Sequence, residues 1–435
     1  MTFDVLEQVE KKLPIVEDLF LNDDMCKLFN NEIVFIKELA SGADGQVFLV
    51  EYDDGEIKEY VLKRTIHYLY DFFIKKETEQ FAVKYGIKSI LDKFKNSQNP
   101  DEYKYKPPDN IKPCKDGDKY SCKNEEFTWM YDEDGIPERF PGKNAQTTGV
   151  VIVSEYVIST YLSNLYKKGL FFNFLEISNF SFCENTKNVM VRDGELFDGS
   201  MKHADQSSSF ILMEKADGYI GARGDGLIGI LERENKQDEL GSLFLQCAMI
   251  VGKLNSEGIV HHDLHGKNLM YMQIRPGMMW NGVELTTVDY FSYTIGDLKV
   301  YFKSNYLVKI IDFGRARWYD MSASPPKVKV ENGNLGEWKG IYPKDYTSGF
   351  DMYSILSIPQ FRNRLNTIRK DYLKTFTTKY YHLPIVTNLE RLNNLSFDNV
   401  VLHDSNWEYF GNDVIFDENN NPPDGIILSL GEINI

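Results

Sequence analysis

Two stretches carry residue types whose spacing could do chemistry. The first is His261-His262-Asp263-Leu264-His265-Gly266-Lys267-Asn268, a carboxylate followed five residues later by a carboxamide. The second is Ile311-Asp312-Phe313-Gly314, a carboxylate held next to a glycine. Transfer of a phosphoryl group from Mg-ATP needs such parts. One carboxylate orients the attacking hydroxyl and accepts its proton, and an amide with a second carboxylate holds magnesium. The other half of such a site would be a glycine turn that covers the phosphates and a lysine that reaches them.

Candidates for that half lie upstream. Residues 33–39 and 46–52 read as two strands joined by a turn, Ala40-Ser41-Gly42-Ala43-Asp44-Gly45, with Val47 just beyond it. The plain reading of Gly42 and Gly45 is a tight turn. The functional reading is a loop whose backbone N–H groups face a triphosphate. Asp53-Asp54-Gly55 then turns into a strand expected to end at Lys63. A buried lysine needs a carboxylate to stay charged and placed. Glu155 is preferred for that role, with Glu77 and Glu79 as rivals. Glu155 is expected in the first turn of a helix capped by Ser154, followed by Tyr156, Ile158, Tyr161, Leu162 and Leu165 and stopped by Gly169.

The remaining elements must deliver the two opening stretches. An apolar strand ends in Met213-Glu214-Lys215-Ala216-Asp217-Gly218. Leu240, Leu243, Phe244, Cys247, Ile250, Val251 and Leu254 mark an amphipathic helix that Gly258 stops before His261. Leu307-Val308-Lys309-Ile310-Ile311 is the strand that brings in Asp312, and a helix opens near Ser348 with Asp351 in it. Residues 1–30 read as an N-terminal extension. Residues 94–146 are rich in Lys, Asp, Asn, Pro and Gly and are expected to be an insertion with long loops. A second insertion, 271–306, carries its own aromatic strands. Residues 355–402 read as mostly helical, and the tail is strand-like around 414–416 and 426–428.

Composition bounds the answer. The chain has 435 residues, 42% hydrophobic and 14% aromatic, which is ample core material for two or more packed units. A formal charge of −16 argues against nucleic-acid binding through a basic surface. No apolar run approaches the roughly 18 residues of a membrane span, and the start lacks a signal-peptide pattern. Cys26, Cys114, Cys122, Cys183 and Cys247 are odd in number and scattered, as reduced thiols of a cytoplasmic compartment would be. Cys114 and Cys122 lack a nearby second Cys/His pair of the kind a zinc site needs.

Taken in order, Gly42/Gly45/Val47, Lys63, Glu155, Met213-Glu214, His262-Asp263, Asn268, Asp312-Phe313-Gly314 and Asp351 resemble the protein-kinase superfamily over roughly residues 31–400. Residues 154–183, with Asp263-Leu264-His265-x-x-Asn268-Leu269-Met270, are similar to the divergent serine/threonine protein kinases of large DNA viruses. The resemblance implies an α+β, two-lobed fold. A β-rich N-lobe would span 31–215 with an insertion at about 64–148. A mainly helical C-lobe would span 216–402 with an insertion at about 271–306, and 403–435 would form the tail. It implies ATP and Mg2+ as cofactors, a protein substrate, and a cytoplasmic setting (host cytoplasm or virion), with no nucleic-acid partner and no membrane span.

The implied roles follow residue by residue. Asp263 would orient the substrate hydroxyl. Asn268 and Asp312 would hold magnesium. Lys63 would pair with phosphates and with Glu155, and Gly42, Ala43, Asp44, Gly45 and Val47 would cover the nucleotide. Met213, Glu214 and Ala216 would meet adenine, the last two by their main chains, and Asp351 would brace the loop around Asp263. The sequence departs from the family at four places. Ala40 replaces the first glycine. His262 replaces the arginine that pairs with a phosphorylated activation loop, so no dependence on such phosphorylation is expected. His265 stands where a lysine meets the γ-phosphate, with Lys267 as a possible substitute. No Ala-Pro-Glu follows Asp312. Asp-Leu-His-x-x-Asn also occurs in small-molecule phosphotransferases of this fold. A catalytically silent scaffold, and a metal held by His261, His262 and His265, are the other readings.

Overall fold

Period-two patterning from Ile33 onward builds the first sheet. In the computed structural model the described residues are 33–41, 45–53, 57–66, 115–116, 119–123, 127–131, 137–141, 149–183, 208–221, 226–236, 239–330, 345–362, 395–402, 410, 413–419 and 421–434. Gly42, Ala43, Asp44, Glu77, Glu79, Cys114, the extension 1–30 and all of 363–394 lie outside them. The described chain mixes helices and strands as an α+β protein and divides into two compact units, Met1–Ile152 with Ser178–Met213, and Val153–Ile177 with Glu214–Ile435. Among the described residues no helix is long and apolar enough to cross a membrane.

In the first unit, strands β1 (Ile33–Ser41), β2 (Gly45–Asp53) and β3 (Ile57–Ile66) are antiparallel neighbours. β8 (Ile177–Cys183) and β9 (Ser208–Glu214) complete a five-stranded sheet in the order β1-β2-β3-β9-β8. Ile33, Phe48, Val50, Tyr60, Leu62, Phe210 and Leu212 form its core. Successive strand residues face opposite sides, so Val47 and Lys63, direct cross-strand partners, stand on the other face, both half-buried. Lys63 does not end its strand; β3 continues to Ile66.

The polar stretch expected as long loops contains four short strands: β4 (Lys115–Asp116), β5 (Lys119–Lys123), β6 (Phe127–Tyr131) and β7 (Pro137–Pro141), paired in that order. Alternating aromatic residues at Phe127, Trp129 and Tyr131 carry the strand signal within a hydrophilic composition.

Helix α1 (Gly149–Lys167) starts before the expected cap. Ser154 is internal to the helix, and Glu155 lies in its second turn. Gly169 does end it, at φ +69, with Leu170 N–H bonded back to Leu165 O. In the second unit, α2 (Leu227–Arg233) precedes α3 (Glu239–Ser256). α3 is buried along its length rather than along one stripe. Its polar Gln246 is satisfied by Tyr306 O and by Val308 N–H.

Around α3 lie short sheets. β10 (Gly218–Tyr219), β12 (Leu269–Gln273) and β17 (Tyr306–Ile310) form one. β11 (Ile259–Val260), β18 (Arg317–Asp320) and β19 (Lys327–Val330) form another. Because β12 and β17 pair from Leu269↔Ile310 to Gln273↔Tyr306, the second insertion is the excursion at their tip. It holds the hairpin β13 (Met279–Trp280) and β14 (Val283–Glu284), then β15 (Tyr290–Ile295) and β16 (Leu298–Phe302). Helices α4 (Gly349–Leu356) and α5 (Pro359–Arg362) follow. The tail strands β20 (Val414–Asp417) and β21 (Ile427–Ile433) do not stand apart. They flank the insertion in a sheet ordered β20-β16-β15-β21, with β15 and β21 parallel.

Candidate active site

The loop between β11 and β12 carries the first chemical stretch, and it is held from three sides. Gly258, at φ +74, turns α3 into β11. A Cβ there would lie 2.7 Å from Tyr319 O, so only glycine lets the turn pack on β18. Beyond β11, His261 N–H donates to Asp351 Oδ2 at 2.6 Å and His262 N–H to Asp351 Oδ1 at 3.0 Å. Asp351 sits fully buried in the first turn of α4. Burial pushes its carboxyl above the ordinary aspartate value, while His261 and the two N–H bonds pull it back. The expected brace is therefore in place, and both carboxylate oxygens are spent on backbone.

His261 adds the second support. Its Nδ1 accepts from Asp263 N–H at 3.3 Å, so the ring proton belongs on Nε2, which donates to Ile311 O at 2.9 Å. Its ring also packs on Phe313, centroids 5.0 Å apart. Asn268 supplies the third. Its Nδ2 donates to Asp263 O at 2.9 Å, its N–H to His265 O at 2.8 Å, and its own carbonyl accepts from Ile311 N–H at 3.0 Å. Asp263, Asn268 and the residue before Asp312 are thus joined in one hydrogen-bonded chain.

Both stretches carry left-handed backbone at a residue other than glycine, His262 at φ +65 and Asp312 at φ +68. Such conformations cost on the order of 1–3 kcal/mol and persist where surrounding bonds enforce them. His262 is fully buried against Phe350. Burial above all, then Arg317 and His261, push its imidazole well below the ordinary histidine value, so it is neutral. After Asp312 the chain makes one 3-10 turn, Phe313–Arg315, which places Arg315 Nη1 3.6 Å from Asp263 Oδ1.

The end of β9 has its own polar cluster. Glu214 N–H donates to Glu176 O at 2.9 Å, so its main chain can offer adenine only a carbonyl. Glu214 Oε1 accepts from Glu176 N–H at 2.8 Å and from Lys309 Nζ at 3.0 Å. Lys309 is wholly buried, bonded also to Phe174 O at 3.0 Å and lying 3.8 Å from the Tyr166 ring centre and 4.0 Å from that of Phe172. Desolvation lowers its pKa, and Glu214 opposes that. Among the described residues the Ala216 N–H has no backbone acceptor.

Of the residues expected from sequence, the structure brings together Asp263, Asn268, Asp312 and Asp351. Met213 ends the last segment of the first unit, and Glu214 begins the long segment of the second. Lys63, Gly45 and Val47 belong to the first unit. Glu155, buried in α1, groups with the second unit and not with the strands of the expected region 31–215. The sequence reading gave no role to Asn173, Lys309 or Arg315. Asn173, fully buried, receives Tyr293 OH at 2.6 Å and Ile310 N–H at 3.1 Å, and donates to Val308 O at 2.7 Å. A lysine inside an otherwise apolar strand was the one visible signal for Lys309.

The oxygen donors of Asn268 and Asp312 are of the kind magnesium takes. With Nδ2 committed to Asp263 O, the Asn268 amide has Oδ1 left as a hard donor, and Asp312 adds a carboxylate. Oxygen ligands in small number suit an ion that keeps water and phosphate in its shell. Among the described residues no group of three or more His, Cys, Asp or Glu is placed to hold a metal, so these two would be the chain's own share. The His261 ring is engaged as above, and His265 Nδ1 accepts from Lys267 N–H at 3.1 Å.

No known protein family and no curated protein matches this chain.

Proposed function

We propose that the chain is an ATP-dependent protein kinase, transferring the γ-phosphoryl group of Mg-ATP to Ser/Thr hydroxyls of proteins on a two-lobed fold. The observation that carries the reading is the hydrogen-bonded chain from Asp263 through Asn268 to Ile311. It sets a candidate base, a carboxamide and the carrier of a second carboxylate in one rigid unit, as positioning-dominated catalysis requires.

In this reading Asp263 accepts the proton of the attacking hydroxyl. Asp351 and His261 hold its backbone so that the carboxylate presents to one place. Magnesium, when bound by Asn268 and Asp312, supplies charge neutralisation of the phosphates. The Glu214 carbonyl and the Ala216 N–H would take the adenine edge. Lys63 and Val47, paired across β2 and β3 on the face opposite the core, would meet the nucleotide.

The test is transfer of labelled γ-phosphate from ATP, with Mg2+, to casein or to the chain itself. Wild type should label an acceptor, and Asp312→Ala and Asp263→Asn should each abolish labelling while melting cooperatively. Label passing only to a small alcohol would move the assignment to small-molecule phosphotransfer. Full labelling by either variant would remove that residue from the chemistry.

A further inference from the structure

Apart from Lys267, named above from its place in the sequence, no side chain of the second unit has been set against the phosphoryl group in transfer. A triphosphate brings negative charge to a site already holding Asp263 and Asp312, and the transition state spreads further charge over the transferred oxygens.

The cations around the loop in the second unit can be sorted by what they touch. Lys309 is buried against Glu214 and Phe174 O. Lys253 is buried against Glu257 at 2.7 Å. Arg317 is 6% exposed within β18. His262 is buried and neutral, and both ring nitrogens of His261 are engaged. His265, at the position of greatest interest in the sequence, uses Nδ1 to receive Lys267 N–H, and the Lys267 side chain is exposed.

Arg315 differs from all of them. Its guanidinium lies 3.6 Å from Asp263 Oδ1, yet its side chain is 30% exposed. It also closes the 3-10 turn that Asp312 opens, so the second carboxylate and this cation sit at the two ends of one short turn. At 3.6 Å the contact is a loose charge pair, longer than the 2.7–2.9 Å of a strong guanidinium–carboxylate bond.

We propose that Arg315 is a catalytic residue: it rests on Asp263 before reaction and then binds the oxygens of the phosphoryl group being transferred. The proposal rests on the phosphotransfer reading above. The acceptor O–H attacks Pγ, and the bond from Pγ to the β–γ bridging oxygen breaks, its electron pair leaving with ADP. The acceptor proton passes to the Asp263 carboxylate. Once Asp263 is neutral its hold on the guanidinium weakens, and Arg315 follows the negative charge to the phosphoryl oxygens. The planar fork of donors suits that group better than a point charge does.

Two measurements separate this proposal from the reading it rests on. The first is the gain in Mg-ADP affinity when aluminium fluoride, a mimic of the phosphoryl group in transfer, is added, by calorimetry, which needs no turnover. Arg315→Ala should lose most of the wild-type gain, whereas Lys236→Ala, at an exposed ion pair with Glu234, should keep it. The second is turnover: Arg315→Ala should lower kcat by about 10²–10³-fold, as removal of one transition-state donor does, with KM for ATP little changed. Free guanidinium at millimolar concentration, far below denaturing levels, should restore turnover to Arg315→Ala and not to Asp312→Ala. Arg315→Lys should fall between, and Arg315→Gln serves if the alanine variant does not fold. Wild-type binding without transfer would sink the kinase assignment and leave the fluoride-dependent gain to judge Arg315. An Arg315→Ala enzyme that keeps the fluoride-dependent gain in Mg-ADP affinity, or turns over faster than wild type, would overturn the proposal, the latter by making the pair a lock on Asp263.

Discussion

The loop at 261–268 and the sheet β20-β16-β15-β21 belong to the same unit and are held in opposite ways. The loop depends on a few directional bonds from polar side chains, those of Asp351, His261 and Asn268. The sheet depends on backbone ladders and stacked rings, with Phe302 5.6 Å from Tyr293 and 5.8 Å from Phe291. A few directional bonds fix atoms in place but fail one at a time. Ladders and ring contacts spread stability and place nothing in particular.

Breaking the loop's brace should give the largest effect. Asp351→Ala leaves two buried N–H groups without their acceptor, and each costs about 1–3 kcal/mol. The expected loss is therefore about 4 kcal/mol in denaturant unfolding, with phosphotransfer lowered by more than about 10²-fold because Asp263 is displaced. The mirror experiment is Phe302→Ala, which removes a fully buried ring. Stability should fall by about 3 kcal/mol, with kcat of the folded fraction unchanged. If Phe302→Ala lowers kcat as much as Asp351→Ala, the division of labour between the two regions is wrong.

The smallest effect is one of pH. His262 has a native pKa well below its ordinary value of 6.5. In that window the unfolded chain binds a proton that the native chain refuses. Stability from this group is complete above pH 6.5 and is lost as pH falls, by about 1.4 kcal/mol per pH unit. His262→Asn, which tolerates the left-handed backbone, should flatten the slope of melting temperature between pH 6.5 and 5. An unchanged slope would show that other groups carry it.

Some of this was legible in the sequence. Period-two alternation gave the first three strands, and the apolar set from Leu240 to Leu254 gave α3. Gly169 and Gly258 stop their helices as read, and the brace that the family resemblance implied for Asp351 matches its two bonds. The start of α1 was hidden because Val150-Val151-Ile152-Val153 is a β-branched run, which local preference assigns to strand. The buried position of Lys309 and the Arg315–Asp263 contact depend on tertiary neighbours far along the chain. The strands β4 to β7 were masked by polar composition, and the union of tail and insertion has no local code at all.

That union bears on how the molecule is made. β21 lies beside β15 in parallel, and Phe172 N–H, just past α1, donates to Leu430 O at 2.7 Å. A strand made late in synthesis is thus wedged against segments made much earlier, and such long-range closure is slow to form. The second unit therefore cannot zip from one end to the other. Its earlier pieces must wait, partly assembled, and in that interval they need protection from association with other chains.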